Sequence, residues 1–341
     1  MNSAKPLVLV TGGAGYVGST LIRDLLARGY RVRCLDLLIY GGKALVGFVN
    51  HSDFRLIKGD IRDKKAVEDA MDGAFAVIHL AAIVGDLPCQ AAPKSAFQIN
   101  FIGTQIVVEA AKQKGVRRFI FASTCSNYGV SDTSKPADEQ RELNPVSLYA
   151  ETKIDCEKYL MSTAGIDFHP TSLRYGTAFG ISFRTRFDLL VNSFAYEAFK
   201  KREIMVFAAN TWRPYVHVAD MSEIMLRVLE GDEAKVGGAI FNAGATTQNH
   251  RKEEVVRMMC DELPDLKAHF ADNVDDPRNY RVDCTKLERT IGFVPTKTVR
   301  DGVRELISSF RDGILTDDDF HTNNLDHLKK FFASQEVVLT R

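Results

Sequence analysis

The sequence predicts an α/β fold with a doubly wound parallel sheet, and two observations support this prediction. Five short and nearly continuous apolar runs recur in the first half of the chain, and stretches with helical spacing separate them. Continuous apolar runs are typical of strands that are buried on both faces of a parallel sheet. The regular alternation of strand and helix indicates successive βαβ units.

The predicted elements can be placed in chain order. The five strands are Leu7–Thr11, Arg31–Asp36, Phe54–Lys58, Phe75–Leu80 and Arg118–Ala122, with helices between them that include Ser19–Ala27 and Phe97–Gln113. After about residue 175 the alternation of strand and helix becomes less regular. The predicted helices there are Asp188–Lys200, Val218–Leu229, Arg251–Leu263 and Val299–Arg311. The join has no linker rich in proline or serine. We therefore expect two packed lobes with a cleft between them.

Three segments follow from this pattern. Residues 1–175 are expected to form the first domain, to which some later segments return. Residues 176–315 are expected to form a smaller C-terminal α/β lobe. Residues 316–341 are expected to be a solvated C-terminal extension.

Composition and charge exclude several classes of protein. The 341 residues carry 44 Lys plus Arg and 44 Asp plus Glu, so the net charge is +0 and general attraction to nucleic acid or an anionic membrane is not expected. No stretch of 18 apolar residues predicts a membrane span. The six cysteines (Cys34, Cys89, Cys125, Cys156, Cys260 and Cys284) show no spacing typical of zinc ligands. We expect reduced thiols, no metal site and a cytoplasmic protein.

A glycine-rich loop follows the first predicted strand. Gly12, Gly13, Gly15 and Gly18 lie in TGGAGYVG, between a strand and a helix, where glycine lets the backbone approach a pyrophosphate at the helix N-terminus. Asp36 ends the next strand, where a carboxylate can accept the ribose hydroxyls of a dinucleotide. Leu37 and Leu38 follow it in place of an arginine, which favours NAD over NADP. A purely structural turn is the alternative.

Tyr149 and Lys153 lie four residues apart and share one face of a predicted helix. A nearby cation is expected to lower the pKa of the phenol, which suits a group that exchanges a proton with a hydroxyl during hydride transfer. Tyr196 and Lys200 have the same spacing, so spacing alone identifies nothing. Tyr149 is favoured because it follows the fifth strand, at the sheet edge where such folds bind ligands.

Several motifs occur in a fixed order along the chain: TGGAGYVG at 11–18, Asp36, GDIRD at 59–63, HLAA at 79–82, Asn100, FASTCSNYG at 121–129, YAETK at 149–153, LRYGTAFG at 173–180 and RPYVHV at 213–218. With them the sequence resembles the extended short-chain dehydrogenase/reductase family over roughly residues 7–310, in particular its NAD-dependent nucleotide-sugar epimerase and dehydratase branch. The resemblance implies that residues 1–175 form a Rossmann-like NAD-binding domain and that residues 176–315 form a nucleotide-sugar-binding lobe.

The resemblance also implies roles for individual residues. It implies that NAD is bound by Gly12, Gly15, Tyr16, Val17, Gly18, Asp36, Asp60, Ile61, Ala81, Ala82, Asn100, Ser123, Tyr149, Lys153 and Tyr175. It implies that Thr124, Tyr149 and Lys153 are catalytic. It implies that a nucleotide-diphosphate sugar is bound by Thr124, Cys125, Ser126, Arg213 and Arg278, with the two arginines on its pyrophosphate.

Departures from the family pattern narrow the expected reaction. The 4,6-dehydratases carry an Asp-Glu pair just after the active-site threonine, and decarboxylating relatives carry a glutamate at the position of Ser126. This chain has Cys125 and Ser126 there. Relatives that epimerise at C3 and C5 pair a cysteine with a His or Lys, which GTAFGISFRTRF at 176–187 does not supply.

Oxidation at C4 is the reaction that remains, and a 4-epimerase is the favoured interpretation. The alternatives are a 4-dehydrogenase or ketoreductase, a reductase of a non-nucleotide ketone, a 4,6-dehydratase and a non-catalytic NAD-binding protein. Gly176 and Thr177 replace the asparagine that commonly follows LRY in UDP-galactose 4-epimerases, which argues against that particular activity. The resemblance finally implies a homodimer, in which helices around 95–113 and 147–163 form a four-helix bundle.

Overall fold

The computed structural model describes residues 5–271, 276, 278–320 and 324–339. The strands are β1 (Leu7–Thr11), β2 (Arg31–Asp36), β3 (Phe54–Lys58), β4 (Ala76–His79), β5 (Arg118–Thr124), β6 (His169–Tyr175), β7 (Thr177–Phe179), β8 (Glu203–Phe207), β9 (Trp212–His217), β10 (Ala239–Ala243), β11 (Asn249–Arg251) and β12 (Lys267–Ala271). The helices are α1 (Tyr16–Ala27), α2 (Lys64–Met71), α3 (Asp86–Ala91), α4 (Pro93–Phe97), α5 (Gly103–Gln113), α6 (Leu148–Ser162), α7 (Leu190–Lys201), α8 (Val218–Glu230), α9 (Glu233–Val236), α10 (Lys252–Glu262), α11 (Thr285–Ile291), α12 (Val299–Arg311), α13 (Asp317–Phe320) and α14 (Asn324–Leu339).

The predicted doubly wound α/β fold is confirmed. In the described part of the chain, seven parallel strands form the main sheet in the order β10-β6-β5-β4-β1-β2-β3. This is the Rossmann order, extended by β10, and it reverses direction between β1 and β4. A ligand of such a sheet binds at that reversal, outside the carboxyl ends of the strands.

Burial on both faces explains the continuous apolar runs. Val8 and Val10 pack into one hydrophobic core of the sheet, with α1 and α8, whereas Leu9 packs into the core on the opposite face. The second lobe has its own core, built largely from α7, α10 and α12. Its segments are not separate from the first domain, because β10 completes the main sheet and α8 packs on α1.

The structure refines one expectation about individual elements and contradicts another. The predicted helix Phe97–Gln113 is helical throughout, but α4 passes into α5 through a π-helical turn at Gln98–Ile102. The C-terminal extension is not simply solvated, because α14 packs against α3 and Leu328 is buried in the core beneath it. Within the described ranges, none of the helices has the length and apolar character that crossing a bilayer requires.

Candidate active site

A cleft with a volume of about 1050 Å³ lies at the carboxyl ends of the central strands. The main sheet and the second lobe both line it. It contains all of the sequence-predicted site residues except Asn100, Cys125 and Ser126. The predicted residues are therefore brought together at the reversal of the sheet, where a ligand is expected.

The glycine loop forms one end of the cleft and is shaped for close approach of a ligand. Gly12 has φ +73°, and a Cβ atom there would lie 2.7 Å from the backbone N of Ala81. A Cβ at Gly18 would lie 2.5 Å from the carbonyl oxygen of Gly12, so both positions require glycine. Within the described residues no side chain caps α1, whose first N–H groups are left for an anion. The cradle fits the pyrophosphate of a dinucleotide.

Asp36 lies beside this loop and is held by backbone groups. Its Oδ2 accepts the N–H of Ala14 at 2.9 Å, and its Oδ1 accepts the N–H of Leu38 at 2.7 Å. Burial raises the pKa of this carboxyl, and the two hydrogen bonds oppose that effect. The arrangement fixes a carboxylate where the ribose of a dinucleotide is expected.

Asn100 supports the cleft from behind its wall. Its Oδ1 accepts the N–H of Ile83 at 2.8 Å, and its Nδ2 donates to the carbonyl of Ile83 at 3.0 Å. The side chain is buried, and the segment that it holds continues from Ala81 and Ala82, which line the cleft. The structure thus places Asn100 as a support for this segment rather than at the cleft surface.

Tyr16 and Tyr175 also line the cleft, and both phenols donate to backbone carbonyls. The Tyr16 hydroxyl donates to Gly180 at 2.7 Å, and the Tyr175 hydroxyl donates to Met221 at 3.0 Å. Each bond ties the first domain to the chain beyond residue 175. Asp60 lines the cleft as well, with its carboxylate held by Arg62.

Thr124, Tyr149 and Lys153 meet at the end of β5. Ser147 caps the start of α6 through a hydrogen bond from the N–H of Ala150, which places Tyr149 in the first turn and Lys153 one turn later. Lys153 Nζ donates to the carbonyl of Ala122 at 2.8 Å and lies 4.5 Å above the ring of Phe121. The lysine is therefore fixed against β5.

The expected effect of Lys153 on the pKa of Tyr149 is wrong in this structure. Burial raises the pKa of the Tyr149 phenol, nearby Cys89 and Asp86 raise it further, and a hydrogen bond with Thr124 opposes the shift. Burial also lowers the pKa of Lys153. Desolvation of both groups outweighs their four-residue spacing, so the Thr124 hydroxyl is the direct partner of the phenol.

Arg213 and Arg278 both line the cleft and contact one shared carboxylate, that of Asp276. Arg213 Nη2 lies 2.7 Å from Asp276 Oδ2, and Arg278 Nε lies 3.0 Å from Asp276 Oδ1. Lys252 Nζ also contacts Asp276 Oδ2, at 3.1 Å. Burial alone would raise the pKa of Asp276, but the three cations hold it well below its usual range. The cluster carries an excess of positive charge, as binding of a diphosphate requires.

Cys125 and Ser126 lie outside the cleft wall. Cys125 is fully buried, its Sγ donates to the carbonyl of Arg174 at 3.0 Å, and burial raises the pKa of its thiol. The Ser126 hydroxyl lies 3.4 Å from the hydroxyl of Tyr280. The structure gives these two residues packing and support contacts instead of a position in the cleft.

Some cleft residues were not predicted. Lys252 is 8% exposed and follows no recognisable motif, so its role depends on the fold. Tyr40, Arg184 and Arg186 line the cofactor end of the cleft. The two arginines were visible in the sequence as basic residues of the 176–187 segment, but nothing in the sequence placed them near Asp36. Tyr196 and Lys200, in contrast, contact Asp317.

Comparison with known proteins identifies the family of this chain. The family model "NAD dependent epimerase/dehydratase family" matches residues 8–244. A UDP-glucose 4-epimerase of Bacillus subtilis is 30% identical over 310 residues, which cover 84% of this chain and 91% of that protein. A dTDP-glucose 4,6-dehydratase of Streptomyces niveus is 28% identical over 321 residues, with coverage of 89% and 93%.

A solved structure has a similar overall fold. The UDP-glucose 4-epimerase of Thermus thermophilus in complex with NAD superposes with a TM-score of 0.77 and 28% identity, and the match covers 89% of this chain and 99% of that one. The family match spans most of the chain and includes the glycine loop, β5 and the Tyr149–Lys153 helix. The chain therefore belongs to the NAD-dependent epimerase/dehydratase family, as an enzyme whose cofactor is NAD.

Proposed function

We propose that the protein is a 4-epimerase, which oxidises and then reduces C4 of a nucleotide-diphosphate sugar with NAD. One observation carries the proposal. The cleft combines Thr124, Tyr149 and Lys153 with the cation cluster of Arg213, Lys252 and Arg278, whereas the two positions after Thr124 hold no carboxylate.

Each of these residues has a separate role in the proposed reaction. NAD, when bound, supplies the hydride acceptor and donor. Tyr149 accepts the proton of the C4 hydroxyl as hydride leaves C4, and returns it when hydride comes back. Thr124 hydrogen-bonds the phenol and helps to hold the C4 oxygen. Lys153, fixed on Ala122, holds the nicotinamide ribose.

The carboxylates of the cleft argue against dehydration and decarboxylation. Among the described residues that line the cleft, each acidic side chain is engaged: Asp36 by backbone N–H groups, Asp60 by Arg62, Asp86 by Arg278, Asp188 by Arg186 and Asp276 by Arg213. Moving protons at C5 and C6 requires an acid/base pair that is free to exchange them. Simple oxidoreduction at C4 needs only Thr124, Tyr149 and Lys153.

The test is turnover of a panel of UDP-, dTDP-, GDP- and CDP-hexoses, with NADH absorbance and product identity followed together. A 4-epimerase gives the C4 epimer with no net NADH. Stoichiometric NADH with a 4-keto product would replace the epimerase proposal by a 4-dehydrogenase. A 4-keto-6-deoxy product would replace the epimerase proposal by a 4,6-dehydratase, and no turnover with any sugar would overturn C4 oxidoreduction as the reaction.

We also propose a homodimer that forms through α5, α6 and the helical turn before them. Phe97, Phe101 and Tyr159 form an aromatic row across these helices, with ring centroids 5.5 and 6.4 Å apart. Phe97 is 40% exposed, and a second copy of the same face would bury this row.

We also propose a cytoplasmic location. The six cysteines, all described, are free thiols, which supports the proposal of a reducing environment.

A further inference from the structure

Three distant segments meet above Asp36 at the cofactor end of the cleft. They are Tyr40 after β2, Arg184 after β7 and Asn324 at the start of α14, and all three residues line the cleft. Arg184 Nη2 donates to Asn324 Oδ1 at 2.7 Å, and the guanidinium carbon of Arg184 lies 4.1 Å from the centroid of the Tyr40 ring. The C-terminal helix is thereby joined to the wall of the cleft.

Charge links this contact to the cofactor site. Arg184 is close enough to Asp36 that each shifts the other's pKa toward its charged form. Asp36 is the carboxylate expected to hold the adenosine ribose. Arg184 and Asp36 thus line the same part of the cleft, and Arg184 also contacts Tyr40 and Asn324.

The start of α14 is anchored on the first domain by apolar contacts. Leu328 is 2% exposed and belongs to the core on the α5 and α6 face of the sheet, with Phe332 packed against the same core. The ring of His327 meets the ring of Tyr40 edge-on, with centroids 6.0 Å apart. Burial of the Leu328 side chain away from water favours the docked position of this segment.

We propose that the start of the C-terminal helix is part of the cofactor site and closes its adenosine end, so that NAD stays bound between turnovers. Asn324, Leu325 and Arg184 line the cleft at this end, where they would lie beside a bound dinucleotide. This inference rests on the proposed NAD site and gives the proposed epimerase its resident cofactor. An epimerase returns the hydride to its own substrate and gains from retention, whereas a dehydrogenase must exchange NAD at each turnover.

The test compares two variants of the full-length protein. Leu328→Asp puts a charge into the core and should detach α14, whereas Lys329→Asp introduces the same residue at an exposed position of the same helix. Each protein is loaded with NADH and chased with excess NAD, and the loss of NADH fluorescence gives the dissociation rate. We expect Leu328→Asp to raise this rate about tenfold or more and Lys329→Asp to leave it within about twofold.

Detachment itself is measured by hydrogen exchange of residues 324–332, and circular dichroism checks the fold. If Leu328→Asp perturbs the whole fold, Asn324→Ala replaces it, because that change removes the hydrogen bond to Arg184 and should still raise the dissociation rate several-fold. A detached helix with an unchanged rate would overturn the proposal. Failure of the wild type to bind NADH would overturn both proposals, whereas NADH binding without sugar turnover would contradict the epimerase alone.

Discussion

Tyr149 must be deprotonated to accept the C4 proton in the proposed reaction, and burial raises the pKa of its phenol, which sets the pH range over which the base form exists. Tyr149→Phe keeps the ring and its packing and removes only the hydroxyl. We expect kcat for C4 oxidoreduction to fall about 10²- to 10⁴-fold, which is typical for the loss of a general acid/base, with little change in NADH binding measured by fluorescence.

Tyr196→Phe is the matched control, because Tyr196 has the same spacing to a lysine but contacts Asp317. It should retain nearly full activity. A fully active Tyr149→Phe enzyme would remove Tyr149 from the mechanism, and an inactive Tyr196→Phe enzyme would show that the assay reports stability instead of chemistry.

Asp86 offers a pH-dependent test of the same phenol. After burial and Cys89, the negative charge of Asp86 is a further cause of the raised pKa of Tyr149. Asp86→Asn removes that charge, so the pKa of Tyr149 should fall and the rising limb of kcat against pH should move to lower pH. Asp86 also pairs with Arg278 at 2.9 Å, so kcat is measured at saturating substrate. Asp69→Asn, at an exposed site, should leave the limb in place, and a shift to higher pH in Asp86→Asn would contradict the assignment.

At the scale of elements, the sequence determines the central strands well because their burial on both faces leaves a simple pattern. The predicted bounds of β1, β2 and β3 are those of the structure. The strand β5 runs two residues further than predicted, through Ser123 and Thr124, because these polar residues still pair with β6. Their position at the end of the strand is what delivers them to the cleft.

Other elements depend on tertiary contacts that local patterns do not contain. The π-helical turn before α5 and the docking of α14 are examples. The residues of the candidate site fall into the same two groups, those that local sequence patterns reveal and those that depend on tertiary contacts. The glycine loop and Tyr149–Lys153 are short motifs with a mechanism, whereas Lys252 and Arg184 reach the cleft from elements that only the folded chain brings close.

The helix that carries Tyr149 and Lys153 is fixed from its far side by a buried ion pair. Arg174 of β6 contacts Glu157 of α6, with 2.7 Å between Nη2 and Oε2, and both residues are under 4% exposed. Glu157→Ala leaves the Arg174 charge buried without its partner and should lower the free energy of unfolding by about 3–5 kcal/mol. Chemical denaturation measures this loss, and Glu151→Ala, at an exposed position of α6, should cost far less. Equal effects of the two changes would contradict the assigned role of the pair.

At the scale of the whole molecule, the balanced net charge coexists with strong local charge. The excess of cations around Asp276 and the uncapped start of α1 face one cleft, so the two expected diphosphates can both be held by a protein of net charge +0. The placement of individual charged groups, and not the net charge of the protein, therefore attracts these ligands. Because the charged sites are largely buried, we expect the KM for the substrate to depend only modestly on ionic strength.

The last prediction concerns the proposed dimer, whose interface would cover a surface that is partly exposed in the monomer. If the row of Phe97, Phe101 and Tyr159 is an interface, sedimentation at micromolar concentration should give about twice the 38.0 kDa mass of the chain. Phe97→Glu places a charge in the proposed interface, where burial against a second copy would leave it without a partner, and should shift the species to the monomer. Ile166→Glu changes a residue that is 88% exposed elsewhere and should leave the dimer intact. A wild-type mass near 38.0 kDa, or an unaltered dimer in Phe97→Glu, would exclude this face as the interface.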